Sequence, residues 1–206
     1  MACRVLNHPL AAVKLTQLRD AATGTADFRR LLRELGALLA YEALRDCASH
    51  PVSVRTPLAV AEGAELVRPL VLVPILRAGL GLAEGITAIF PEAAVGHIGM
   101  YRNEVTLEPE HYFYKVPGHS ADAEVLLVDP MLATGNSAVA AAQKLKQEGI
   151  RHLRLVCLVG CPQGVNRFES AHPDIPITLG AMDEKLDERS YILPGLGDAG
   201  DRYFGT

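Results

Sequence analysis

At 206 residues the chain is long enough for one domain with a full core, and its 49% hydrophobic and 21% charged residues are those of an ordinary globular protein. A formal net charge of -4 offers no general polyanion-binding surface, which speaks against bulk nucleic-acid binding but leaves room for a small basic pocket. The opening MACRVLNHPLAAVKL lacks the basic–apolar–small-residue pattern of a signal peptide. The most apolar stretch, Pro69 to Phe90, is broken by Arg77, Glu84 and several glycines, so no membrane span and a cytoplasmic protein are expected.

A short helix is expected from Pro9 to about Arg19 and a longer one from Asp27 to Asp46, where Phe28, Leu31, Leu32, Leu35, Leu38 and Leu39 recur at helical spacing. Together they make an N-terminal helical arm whose apolar stripes face the core or a dimer interface. A hairpin is expected around Val52–Val54 and Leu58–Val60. After Leu66 the pattern changes to short apolar runs alternating with helices. These are Leu70–Leu76 and a helix from Leu80, Ala94–Met100, then Val125–Val128 and a helix from Ser137 to Glu148. Leu153–Val159, a helix near Val165–Ser170 and Ile177–Leu179 follow. Such runs predict an α/β fold with a mostly parallel sheet flanked by helices, in one domain spanning 1–206. Ligands of such sheets bind beyond the carboxyl ends of the strands.

The chemistry-bearing residues follow those runs. VPILRAGLG, from Val73 to Gly81, is a strand, a positive charge and a glycine-rich turn. Arg77 there has the geometry to grip two phosphate oxygens, and Gly79 and Gly81 would let backbone approach an anion. An arginine paired with a surface carboxylate would leave the same trace. In GMYRNEVTLEP, from Gly99 to Pro109, Arg102 repeats the pattern.

The strongest local feature is EVLLVDPMLATGNS, from Glu124 to Ser137: a strand ending in Asp129, a short loop and an alanine-rich helix. Backbone N–H groups at a helix start, with the hydroxyls of Thr134 and Ser137, make an anion cradle. Asp129 is placed to accept hydrogen bonds from sugar hydroxyls, so the pair reads as a sugar-phosphate site. The lysine of a nucleotide P-loop is absent. Helix capping by Thr134 or Asn136 is the plainer alternative. Cys157 and Cys161 are spaced like half a zinc site, but no second pair accompanies them and buried thiols are the better reading. The final stretch, Tyr191 to Thr206, is too rich in glycine for a helix and too patterned for a frayed tail; it exposes backbone donors and acceptors, and a clasp that merely caps the sheet would leave the same trace.

VDPMLATGNS resembles the phosphoribosyl pyrophosphate (PRPP) motif of type I phosphoribosyltransferases, and its proline after a single acid resembles the uracil-specific branch. PILRAGLG, GMYRNE-TLEP and YI-PGLGDAGDR-FGT are similar to the other motifs of the uracil phosphoribosyltransferase family, in the same order. The resemblance implies transfer of the phosphoribosyl group of PRPP to uracil, giving UMP and pyrophosphate. It implies PRPP contacts from Arg77, Arg102, Asp129, Pro130, Met131, Leu132, Ala133, Thr134, Gly135, Asn136, Ser137 and Asp198, and uracil contacts from Ile192, Gly197, Asp198 and Ala199. Arg77, Arg102 and Asp198 are the candidates for catalytic roles; no residue is marked as a general base by its sequence context, and Asp198 is the candidate for assisting uracil deprotonation. Mg²⁺ would arrive on PRPP's own oxygens with no direct protein ligand. A mobile hairpin from Asn103 to Pro117 would cover the site. The resemblance further implies a homodimer or larger assembly and leaves a GTP activator open, with no motif for one identified.

Two departures stand out: Asn136 where a second glycine is common, tolerated if that position is left-handed, and Ser190 where glycine is frequent. A transferase for another base would share the PRPP motifs and differ after Tyr191. A PRPP-sensing regulator binding RNA or DNA would need a basic face that the charge balance does not offer.

Overall fold

The computed structural model describes residues 3–102 and 109–206, with the backbone alone described at 101, 102 and 109–111. Strand β1 (Arg4–Val5) leads into helix α1 (Pro9–Arg19), which opens on a proline whose missing N–H costs nothing at a first helical position. Helix α2 (Thr25–Ala43) buries Phe28, Leu31, Leu32, Leu35 and Leu39. An antiparallel hairpin, β2 (Ser49–Arg55) and β3 (Val60–Leu66), follows with most of its surface exposed. Its strands are longer than expected, and Leu58 lies in the turn between them.

The central sheet is built from β4 (Leu70–Leu76), β5 (Ala94–Val95), β6 (His97–Arg102), β7 (Pro109–Lys115), β8 (Glu124–Val128), β9 (Met131–Leu132), β10 (His152–Gly160) and β11 (Ile177–Met182). Its order is β1-β11-β10-β8-β4-β6-β7, with β5 on β4 and β9 on β10. Every pairing is parallel except β6 with β7. The expected strand Ala94–Met100 is split in two at Gly96, whose N–H turns to the Leu72 carbonyl at 2.8 Å.

The continuous apolar runs are explained by cover on both faces. Leu70, Leu72, Leu126, Val128, Val156 and Leu158 pack with the leucines of α2 and with Leu82 and Ile86 of α3 (Leu80–Ile89). The alternate residues Val71, Val73, Val125, Leu127 and Leu155 pack with Ala138, Ala141, Ala142 and Leu145 of α4 (Asn136–Gln147) and Phe168 of α5 (Pro162–Ala171). That alternation is the two-residue period of a strand with a core on either side. Among the described residues no helix is long and apolar enough to cross a membrane.

After the sheet come a small hairpin, β12 (Lys185–Leu186) with β13 (Ile192–Leu193), and α6 (Ala199–Phe204). The last helix corrects the expectation that the glycine-rich terminus forms none. Asp198 caps its start, Gly205 ends it in the left-handed region at φ 77, and only Gly200 lies inside it.

Candidate active site

Three neighbouring strands, β6, β4 and β8, end side by side and deliver Arg102, Arg77 and Asp129 to one edge of the sheet. Arg102 is the last residue of β6 and pairs with Pro109 across the hairpin. Its side chain, and the segment 103–108 of the expected lid, lie outside the described residues. Arg77 follows β4 and is exposed, with its guanidinium over the Phe204 ring at 5.1 Å. Gly79 and Gly81 serve packing rather than an anion: a Cβ at Gly79 would meet the Val128 carbonyl at 2.5 Å, and one at Gly81 would meet Leu32 and Tyr203 at the same distance.

The loop after Asp129 is stitched to the next strand over. The Pro130 carbonyl accepts the N–H groups of Leu158 and Val159 at 3.1 and 2.9 Å. Leu132 is buried, its carbonyl accepts the Cys161 N–H at 3.3 Å, and the Cys161 thiol reaches the Ala133 carbonyl at 3.3 Å. Cys157 and Cys161 are therefore buried thiols, and burial pushes the Cys157 thiol well up. The Pro130 and Leu132 side chains are buried, so what they set is the backbone course of the loop.

Gly135, at φ 80, swings the chain into α4, and a Cβ there would fall 2.8 Å from the Gly164 carbonyl. Asn136 is already helical, with its N–H toward the Thr134 hydroxyl at 3.5 Å. Its tolerance thus has a different reason from the one expected: the left-handed residue is Gly135. The first turn of α4 leaves backbone N–H groups without helical partners beside the Thr134 and Ser137 hydroxyls, which is an anion-binding arrangement.

A cavity of about 260 Å³ joins this loop to the C-terminal segment. Asp129, Met131 and Ala133 form one side, and Ile192, Gly197, Asp198 and Ala199 the other. Arg77 and the Thr134–Ser137 turn are not among its lining residues, whereas Ala78, Ser190, Tyr191 and Gly200 are, and sequence reasoning assigned those four no contact. Ser190, at φ 68, is the one non-glycine in the left-handed region among the described residues, which accounts for the glycine frequent there.

Two carboxylates share the cavity and differ in setting. Asp129 is partly buried, and desolvation pushes its carboxyl up to about 7, offset only in part by the Met131 N–H at 3.4 Å. Asp198 has one oxygen committed to the Asp201 N–H at 2.9 Å. The site therefore offers a hydroxyl acceptor at the sheet edge, an anion cradle beside it and a mainly backbone wall opposite.

A family model described as uracil phosphoribosyltransferase matches residues 5–206. The uracil phosphoribosyltransferase of Myxococcus xanthus is 53% identical over 209 residues, covering 99% of this chain and 97% of that protein. That of Clostridium beijerinckii is 51% identical over 202 residues, covering 98% and 97%. Among solved structures, the AQ2163 protein of Aquifex aeolicus superposes with a TM-score of 0.94 at 36% identity, over 100% of this chain and 99% of that one. A hypoxanthine-guanine phosphoribosyltransferase from Bacillus anthracis shares the fold alone, with a TM-score of 0.53 at 13% identity over 77% of this chain and 80% of that one.

Proposed function

The chain belongs to the uracil phosphoribosyltransferase family, and from that premise we propose how its residues divide the reaction. It is a pentosyltransferase that moves the 5-phosphoribosyl group of PRPP to uracil, giving UMP and pyrophosphate. The ribose 5-phosphate sits in the Thr134–Ser137 cradle, and Asp129 accepts hydrogen bonds from the ribose hydroxyls. Arg77 and Arg102 take the pyrophosphate. Ile192, Gly197, Asp198 and Ala199 hold uracil. The observation that carries this division is the single cavity in which Asp129, Met131 and Ala133 face those four residues.

A ring nitrogen of uracil displaces pyrophosphate from the anomeric carbon with inversion, through a transition state of oxocarbenium character. Negative charge grows on the leaving group, where the two guanidinium groups stabilise it, and Asp198 assists removal of the uracil proton. A backbone wall reads uracil by its carbonyls and N–H groups, and cytosine would leave a buried donor or acceptor unpaired.

Phosphoribosyltransferases generally use Mg²⁺ with PRPP. Asp129 and Asp198 give the cavity two hard oxygen donors without further ligands, since no cluster of three His, Cys, Asp or Glu residues able to hold a metal occurs among the described residues. That set fits a cation carried by the substrate's oxygens and water, which Asp129 and Asp198 would help to hold, and the ion would supply charge neutralisation at the pyrophosphate.

The site draws on both halves of the chain, which supports a single domain over 1–206. A homodimer or larger assembly is supported by the apolar side chains left exposed on the β2–β3 hairpin and α2, where Leu58 is 97% and Tyr41 72% exposed. The deciding measurement is UMP formation from labelled uracil with PRPP and Mg²⁺, beside cytosine, hypoxanthine and orotate. Product from uracil alone, lost on chelation, upholds the reading. Product from another base removes the uracil assignments and leaves the PRPP ones.

A further inference from the structure

Arg19 ends α1 and Asp183 follows β11, yet they close a bidentate ion pair, Nη2 to Oδ1 at 2.6 Å and Nη1 to Oδ2 at 2.8 Å. Only 22% of the Arg19 side chain and 6% of the Asp183 side chain is exposed. The same two groups also hold one backbone residue from both sides. Arg19 Nη1 donates to the Gly195 carbonyl at 2.8 Å, and the Gly195 N–H donates to Asp183 Oδ2 at 2.8 Å. Asp183 is itself fixed to the sheet through its N–H on the Gly160 carbonyl, at 2.7 Å.

Gly195 is where the wall doubles back. It sits at φ 60, and a Cβ there would fall 2.0 Å from the Ile192 carbonyl. One residue on, Arg202 donates to the Leu196 carbonyl at 2.9 Å and to the Asp20 carbonyl, just past α1, at 2.6 Å. Two successive carbonyls are thus each engaged by a guanidinium tied to the end of α1. In a trans peptide the C=O and N–H point in opposite directions, so engaging the Leu196 carbonyl aims the Gly197 N–H away from Arg202. That N–H has no partner among the described residues, and Gly197 lines the cavity.

A buried ion pair is a weak source of stability, because desolvation offsets most of its attraction. What an apolar pair could not supply is a donor and an acceptor at fixed places for Gly195. We infer that Arg19 and Asp183 are positioning residues for the base: their ion pair fixes the two peptide groups that meet at Gly195, next to the Leu196–Gly197 peptide that Arg202 engages, and so helps set where the wall presents its backbone donor. This rests on the reading of Ile192–Ala199 as the uracil wall.

The test is steady-state kinetics in both substrates for Arg19→Ala, Arg19→Lys and Asp183→Asn, with folding checked by circular dichroism. Lysine keeps the charge but cannot fork onto Asp183 and Gly195 together. The expected result is a uracil KM raised about tenfold or more, with the PRPP KM held within about threefold. Arg19→Lys should fall between the wild type and Arg19→Ala, with kcat at saturating uracil retained. A uracil KM within about threefold of wild type in the folded variants, whatever their Tm, overturns the inference, as does an equal loss for both substrates. Variants that all fail to fold would make the pair a folding determinant and overturn it too. A wild-type chain that forms no UMP from uracil removes the underlying reading instead; an active wild type with unchanged variants removes only this inference.

Discussion

Arg77 lays its guanidinium over the ring of Phe204, 5.1 Å from Cζ to the ring centroid, so the arginine proposed for pyrophosphate rests on the helix that follows the uracil wall. A planar cation on an aromatic face is held without losing its in-plane donors. Arg77→Lys, which loses both fork and stacking, is expected to lower kcat/KM for PRPP by about 2–3 kcal/mol. Phe204→Leu should cost about 1 kcal/mol in PRPP affinity and leave the uracil KM in place. Initial-rate measurements varying each substrate separate the two effects.

Asp129 gives a pH dependence of definite sign. Its carboxyl ordinarily titrates at 3.8 and is pushed up to about 7 in the fold by desolvation. Between those values the folded chain holds a proton that the unfolded chain has released, so stability from this group falls as pH rises toward 7 and is level above it. Asp129→Asn is therefore expected to raise Tm more at about pH 8, above that window, than at about pH 5, inside it, where only part of the stability has been lost, while abolishing turnover. Calorimetry at the two pH values, with an activity assay, checks both halves.

Gly135→Ala should damage the phosphate turn on two counts. A side chain at φ 80 is strained, and its Cβ would press on the Gly164 carbonyl at 2.8 Å. A loss of about 2 kcal/mol in urea unfolding is expected, together with a weakened PRPP titration.

At Ser190 the expected effect is small and asymmetric. Ser190→Gly relieves the strain at φ 68 but adds unfolded-state freedom, so a change within about 1 kcal/mol is expected. Ser190→Val, β-branched in the same conformation, should lose about 2 kcal/mol by the same unfolding measurement.

The turn residue Leu58, 97% exposed, is a test of assembly. Leu58→Glu is expected to shift the molecular mass by light scattering toward the protomer while leaving the secondary-structure spectrum intact.

The sheet was legible because its strands are buried on both faces: Leu70–Leu76 is a continuous apolar run, and the residues that end such runs, Arg77 and Asp129, stand where ligands of parallel sheets bind. Of the two-residue strands, β5 fell within the expected Ala94–Met100 run, while β1, β9, β12 and β13 are too short to show any period. Helix α6 was hidden by its composition, since the glycines that bracket it lie outside it and the Asp198 cap shows only once the backbone is seen. The Arg19–Asp183 pair had no local signature at all, because its partners lie 164 residues apart and meet only through the fold. Likewise, nothing in the motif RAGLG distinguishes a glycine that admits an anion from one that admits a neighbouring strand, as Gly79 does.

Strand β1, near the start of the chain, pairs with β11, Arg4 beside Thr178 and Val5 beside Leu179. During vectorial synthesis β1 must therefore wait, unpaired, until β11 has left the ribosome. A nascent chain carrying the whole phosphate loop would still lack both this sheet edge and the acceptor wall, so the two sides of the cavity can meet only once β11 and the segment after it have emerged.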